Sequence, residues 1–334
     1  MRHLSAILLL LAAAPATAAD AATAPFCILS VQETPGSLAI ITPDGKIVRR
    51  LPLGERPHEI AVAADGRTAY VSMFGIADYD NRIGTPGNSI ARIDLKSATR
   101  TGDYVLPAPA KGPHGVKLRP PNNTELFANA ESGGDTMHVF DTGSRRLKRS
   151  FAMPAATHNF VFSNDGAAIF SFAGARGVTK LDATTGRILA SRDLGSPARG
   201  VFVTRSGTIL ASLKGALVEL DADNLAEIRR LPMPRPGQFV YIDQHRDGTI
   251  AAPSLNDGGV ALVPPVGAPL AGPARFIATG KTPIFARYGP DNRLYVANVE
   301  DDHISVINAD GTPAAPITGL LTPNGIGFGD CPTP

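Results

Sequence analysis

Three histidines recur in similar company along the chain: Pro57-His58-Glu59, Pro113-His114-Gly115 and Thr157-His158-Asn159. Neutral imidazoles that converge can hold zinc or copper, and three protein ligands leave positions open for water or substrate. The same context continues downstream with Ala198-Arg199-Gly200, Gly237-Gln238-Phe239, Thr282-Pro283-Ile284 and Pro323-Asn324-Gly325. A ring carrying histidine, arginine, glutamine and asparagine could equally bind an anion, with Arg199 as a bidentate fork and the histidines moving protons. It could also be a water-lined channel wall with no ligand at all. Glu131, in Asn129-Ala130-Glu131-Ser132, is the candidate general base or fourth ligand, and Arg199 the candidate stabiliser of negative charge.

These residues share a site only if the elements carrying them form a ring, and a repeat supplies that ring. An apolar alternation, usually ending in Asp or Asn, occurs seven times: at 38–42, 90–94, 137–141, 178–182, 217–221, 260–264 and 304–308. Upstream of most copies lie two further period-2 runs around a turn, as in Ile60 to Ser72 around Asp65-Gly66. Such runs are antiparallel hairpins. A four-stranded unit returning about every 40 to 55 residues is a propeller blade. The expected fold is therefore all-β, one seven-bladed β-propeller over 25–331, with the histidines, Arg199, Gln238 and Asn324 at the starts of inner strands and Glu131 on a loop at the same face.

The first copy is preceded by a single strand, Phe26 to Val31, and its missing inner strand is at the other terminus, Asn324 to Phe328. If the two share a blade, the only cysteines, Cys27 and Cys331, come side by side at the spacing a disulfide needs. The expected bond is Cys27–Cys331, closing nearly the whole chain.

The segment Arg56 to Ser72, and Leu294-Tyr295-Val296-Ala297-Asn298 followed by Ile304 to Asn308, resemble the YVTN-type β-propeller repeats of bacterial surface and periplasmic proteins. The likeness covers essentially the whole mature chain, with drift in the fifth and sixth copies. It implies the propeller fold and leaves activity open, since related propellers include lactonases, lyases, haem- or copper-carrying domains and plain binding proteins.

The start of the chain reads as a secretory signal peptide over 1–18: Arg2, an apolar run at Leu8 to Ala14, then Ala16-Thr17-Ala18. A second small-residue triplet, Ala22-Thr23-Ala24, allows cleavage up to residue 24. A periplasmic or secreted protein with no membrane span after cleavage is expected, in a compartment that oxidises cysteines. The formal charge of +2 is scattered, so nucleic acid is excluded as an expected partner. No Gly-x-Ser-x-Gly elbow, phosphate loop, Cys-x-x-Cys-His or His-Glu-x-x-His motif occurs.

The long insertion Met73 to Asn88 carries Asp78, Tyr79, Asp80 and Arg82 and is placed to fold over the mouth, with Asp80 and Arg82 as ligand contacts beside Arg199, Gln238 and Asn324. Glu300-Asp301-Asp302-His303 is a lesser cation candidate, while His138 and His245 receive no role. The expected protein is a monomeric propeller that binds a small molecule or a divalent metal, zinc or copper, through His58, His114, His158 and Arg199. The alternatives are a metal-dependent, lactonase-like hydrolase or lyase at the same site, and a scaffold for a periplasmic protein partner.

Overall fold

The computed structural model describes residues 25–54, 56–77, 80–172, 176–265 and 274–333. The signal peptide and its cleavage triplets lie outside the described residues, as do Asp78, Tyr79 and the side chain of Asp80. No helix among the described residues is long and apolar enough to cross a membrane.

The strands assort into seven antiparallel blades. Blade 1 comprises Pro57–Val62, Thr68–Met73, Ser89–Asp94 and Thr99–Val105, and blade 2 comprises Lys111–Leu118, Glu125–Ser132, Thr136–Asp141 and Leu147–Ala152. Blade 3 runs from Asn159–Phe162 to Ile188–Asp193, blade 4 from Gly200–Val203 to Glu227–Pro232, and blade 5 from Asp243–Gln244 to Arg275–Ala278. Blade 6 holds Pro283–Tyr288, Leu294–Asn298 and His303–Ile307. Blade 7 is built from both ends of the chain, in the order Pro323–Gly329, Cys27–Gln32, Ser37–Ile41, Ile47–Pro52.

The middle strands of the blades are buried on both faces, because alternate side chains point toward opposite neighbours. In Ser37–Ile41, Leu38 and Ile40 pack with Ala69, Val71 and Ile93 of blade 1. Ala39 and Ile41 pack with Tyr295, Ala297 and Ile304 of blade 6. Seven such apolar clusters, one between each pair of neighbouring blades, form a continuous ring of core. Outer strands such as Ile188–Asp193 face solvent.

The expected closure is present. Cys27 pairs in register with Gly329, and Cys27 and Cys331 form a disulfide with their Cα atoms 5.0 Å apart. The Asp330 amide also donates to the Gly66 carbonyl of blade 1 at 2.7 Å.

Two blades depart from the regular pattern, and proline accounts for both. The outer strand of blade 6 is reduced to isolated bridges at Pro313 and Ile317, since Pro313 and Pro316 have no amide to donate. In blade 5 the expected inner-strand start at Gly237-Gln238-Phe239 makes only isolated bridges, and the regular ladder is confined to Asp243–Gln244. Pro253, on the facing strand, supplies a carbonyl to the Val240 amide at 3.0 Å but has no N–H to return.

Candidate functional site

Four inner strands carry a proline at or near their start followed by a β-bulge: the register slips between Pro57 and Ile60, between Pro113 and Val116, between Pro283 and Ala286, and opposite Ser30–Gln32 after Pro323. A bulge leaves residues outside the ladder and re-aims their side chains. His58-Glu59 and His114-Gly115 occupy two of these bulges, which is how consecutive residues reach into the same central space. His158 just precedes the inner strand of blade 3, with its amide on the Phe172 carbonyl at 3.0 Å.

The three expected histidines do come together. The His58 and His114 rings lie 4.1 Å apart between centroids, and His114 and His158 lie 4.0 Å apart, both pairs tilted. His58 and His114 are fully buried, and only His158 reaches the solvent side. Phe74, at the root of the insertion, seals the buried pair with edge contacts at 5.4 and 4.9 Å. Its backbone is set by Gly75, whose φ of +85° is left-handed and whose Cβ, if present, would lie 2.1 Å from the Thr85 carbonyl oxygen.

Two carboxylates join the imidazoles. Glu131, at the end of the second strand of blade 2, accepts from His158 Nδ1 at 2.8 Å and stands 4.0 Å from His114 Nδ1. Burial alone would raise its pKa, but the charge of His114, the His158 hydrogen bond and His58 outweigh this and hold it below the ordinary value. The other face of His158 is held by Tyr241, whose hydroxyl lies 3.3 Å from Nε2 and whose ring stacks on Phe285 at 4.3 Å. The His158 carbonyl accepts from Asn129 Nδ2 at 3.0 Å, and Asn129 Oδ1 takes the Gly115 amide, also at 3.0 Å. Residue 115 must be glycine here, because a Cβ would approach Asn159 Oδ1 to 2.3 Å and Asn129 Oδ1 to 2.6 Å.

Glu59 is the component that sequence reasoning missed. Its carboxylate is buried below the histidine stack, 4.0 Å from His114 Nδ1, with Lys117 Nζ at 3.1 Å on one oxygen and Asn159 Nδ2 donating to the other. Burial again acts to raise its pKa, yet Lys117, His114 and His58 together lower it to about 2. The available signal was Pro57-His58-Glu59 itself, since a bulge turns two successive residues inward.

The donor atoms form two overlapping groups, His58–Glu59–His114 and His114–Glu131–His158, with the atoms of each group within 4.8 Å of one another. The three histidines thus take part in imidazole–carboxylate groups that share His114. The inner group is enclosed and its carboxylate is already engaged by Lys117 and Asn159. The outer group opens into a cavity of about 410 Å³ lined by Glu131, His158, Arg199, Thr157 and Asp135. His158 and Arg199 also border an adjoining cavity of about 320 Å³ walled by Gln238, Tyr241, Leu255 and Ile284.

The remaining expected residues divide. Arg199 and Gln238 line the mouth as anticipated. Asn324 is fully buried in its bulge and borders neither cavity. The insertion forms a small hairpin, Ile76–Ala77 with Asp80–Gly84, on which Arg82 is exposed and borders neither cavity. Glu300, Asp301 and Asp302 are spent on Thr282, the Lys281 amide and the Thr322 amide, which makes them loop caps. His138 is occupied by Thr136 and Ser150, away from the mouth.

No protein-family model matches the chain, and no curated protein matches it. Solved structures do match in fold. A functionally unknown protein from Desulfotomaculum acetoxidans aligns over 93% of this chain and 100% of its own, at 12% identity and a TM-score of 0.72. The periplasmic gluconolactonase PpgL of Pseudomonas aeruginosa aligns over 92% and 100%, at 16% identity and a TM-score of 0.72. The dihydro-haem d1 dehydrogenase NirN aligns over 95% of this chain and 77% of its own, at 13% identity and a TM-score of 0.63. At these identities the likeness is one of fold, and the protein is a seven-bladed β-propeller.

Proposed function

We propose that this propeller is an exported protein that binds a divalent metal ion, zinc or copper, through His114, His158 and Glu131, and takes up a small anionic or carbonyl-bearing molecule on Arg199 beside it. The observation that carries this reading is the convergence of two imidazoles and an anionic carboxylate at a cavity of about 410 Å³ with an exposed guanidinium on its rim. Two nitrogens and one carboxylate oxygen suit zinc or copper and leave coordination positions free. When bound, such an ion would supply Lewis acidity toward a carbonyl or water. The chain's own groups do the rest: Tyr241 holds Nε2 of His158, which leaves Nδ1 facing Glu131 as the nitrogen available to the ion, and Arg199 offers a forked pair of donors to negative charge. The disulfide fits an oxidising, extracytoplasmic location.

The test is elemental analysis of protein isolated without chelator or affinity metal, compared with His158→Ala and Glu131→Gln. Near-stoichiometric zinc or copper that is lost in both variants supports the reading. Metal-free wild-type protein overturns it.

A second reading, lactone or ester hydrolysis at the same mouth, is favoured by the Glu131–His158–Tyr241 chain of hydrogen bonds, which orients an imidazole for proton transfer next to Arg199. The fold likeness to a gluconolactonase points the same way. A lactone panel assayed by acid release separates the two: turnover abolished in His158→Ala establishes hydrolysis, and no turnover on any lactone removes it.

A further inference from the structure

We propose that the opposite mouth of the channel is a second binding site, independent of the histidine cluster, for a monoanionic amphiphile: one carboxylate carried on a short hydrocarbon chain.

The inner strands that start at the histidine mouth end at a separate cavity of about 370 Å³. Five of them contribute, and their contributions are apolar with two exceptions, while the turn residues Asn123 and Asn164 add polar lining at the rim. Val62 closes the inner strand of blade 1, Leu118 that of blade 2, Phe162 that of blade 3 and Val203 that of blade 4; the exceptions on these walls are the cations Lys117 and Arg287. The terminal apolar residues are only partly buried, unlike those between the blades, so hydrocarbon remains facing the opening. Covering such surface is favourable by about 25 cal/mol per Å² of apolar area removed from water. A volume of this size falls at the small-molecule end of the range for ligand cavities, about 300–1,000 Å³.

The two cations are not equivalent. Lys117 is turned inward to Glu59, 3.1 Å away, and its charge is matched there. Arg287 is half-buried and, among the described residues, its side chain makes neither a hydrogen bond nor an ion pair. Asp243 is the acid whose field it feels, but the Oδ2 of Asp243 is turned to the Tyr288 amide at 2.8 Å. A guanidinium held at a mostly apolar opening with its fork unengaged is matched in geometry and charge by one carboxylate. The apolar walls from blades 1 to 4 then take the hydrocarbon.

The experiment is calorimetric titration of the full-length mature protein with octanoate and, separately, with 1-octanol. Octanoate is expected to bind with one-to-one stoichiometry, 1-octanol at least tenfold more weakly, and Arg287→Gln to weaken octanoate at least tenfold. Arg199→Gln, at the opposite mouth, is expected to leave octanoate binding unchanged. Absence of octanoate binding, equal binding of 1-octanol, or a loss that follows Arg199→Gln instead of Arg287→Gln overturns the proposal. The octanoate-to-octanol ratio is read on wild-type protein and so does not depend on the folding of any variant.

Discussion

Replacing Glu59 by glutamine tests whether the centre of the channel is an electrostatic device or simply packed volume. The substitution preserves shape but removes the charge that Lys117 and Asn159 hold in a buried position. Lowering the Glu59 carboxyl from an ordinary 4.5 to about 2 corresponds to about 3 kcal/mol of preferential stabilisation of the ionised folded state. Because the folded-state value lies below the unfolded one, this stabilisation is complete above pH 4.5 and is lost as the pH falls through about 2. Urea unfolding followed by circular dichroism, with chelator present, is expected to show Glu59→Gln less stable than wild type by about 3 kcal/mol at pH 7 and by under about 1 kcal/mol at pH 2.5. A difference between the two proteins that stays constant across that pH range, or a variant as stable as wild type at pH 7, would refute the reasoning. Lys117→Met should reproduce much of the loss, since it leaves the buried carboxylate without its nearest cation.

Other substitutions probe the ring and the mouth separately. Cys27→Ser with Cys331→Ser opens a loop spanning 304 positions, for which chain entropy allows up to about 5 kcal/mol; a lower thermal midpoint with unchanged metal content is expected, and an unchanged midpoint would mean the strand pairing alone closes the ring. Glu125→Gln disrupts a carboxylate that accepts from both Arg149 Nη atoms and is ion-paired to Arg119 and Lys148; it should cost about 2–4 kcal/mol in urea unfolding. His114→Ala is expected to abolish metal binding and also to lower stability by about 1–3 kcal/mol, because its ring fills the space between two other imidazoles. His158→Ala, at the solvent side of the stack, should abolish metal binding at little cost to the thermal midpoint, which makes it the cleaner probe.

The propeller was legible in the chain because its signals are local. Period-2 runs such as Ile90 to Asp94, Asp-Gly turns such as Asp65-Gly66, and a regular return of the unit specify strands, hairpins and blade number without any long-range information. The Cys27–Cys331 bond followed from counting, since the only unpaired strand at each end had to complete the same blade. The recurrence of histidine at the same place in three successive repeats, twice as Pro-His, likewise marked where the inner strands begin and set His58, His114 and His158 on one arc.

What the histidines meet was decided only in three dimensions. Glu59 sits in the sequence as an ordinary strand residue, yet a bulge turns it into the channel, where Lys117 and Asn159 from the next two blades close on it. Tyr241, 83 positions from His158, becomes its hydrogen-bond partner because the ring closes across the channel. Asn324 keeps the expected register but is packed away from the mouth, and Arg82 is on an exposed hairpin. Periodicity records which face of a strand is apolar. It carries no information on how far a bulge rotates the residues at the start of that strand, or on which side chains from other blades share the axis, and those two quantities set the chemistry of the site.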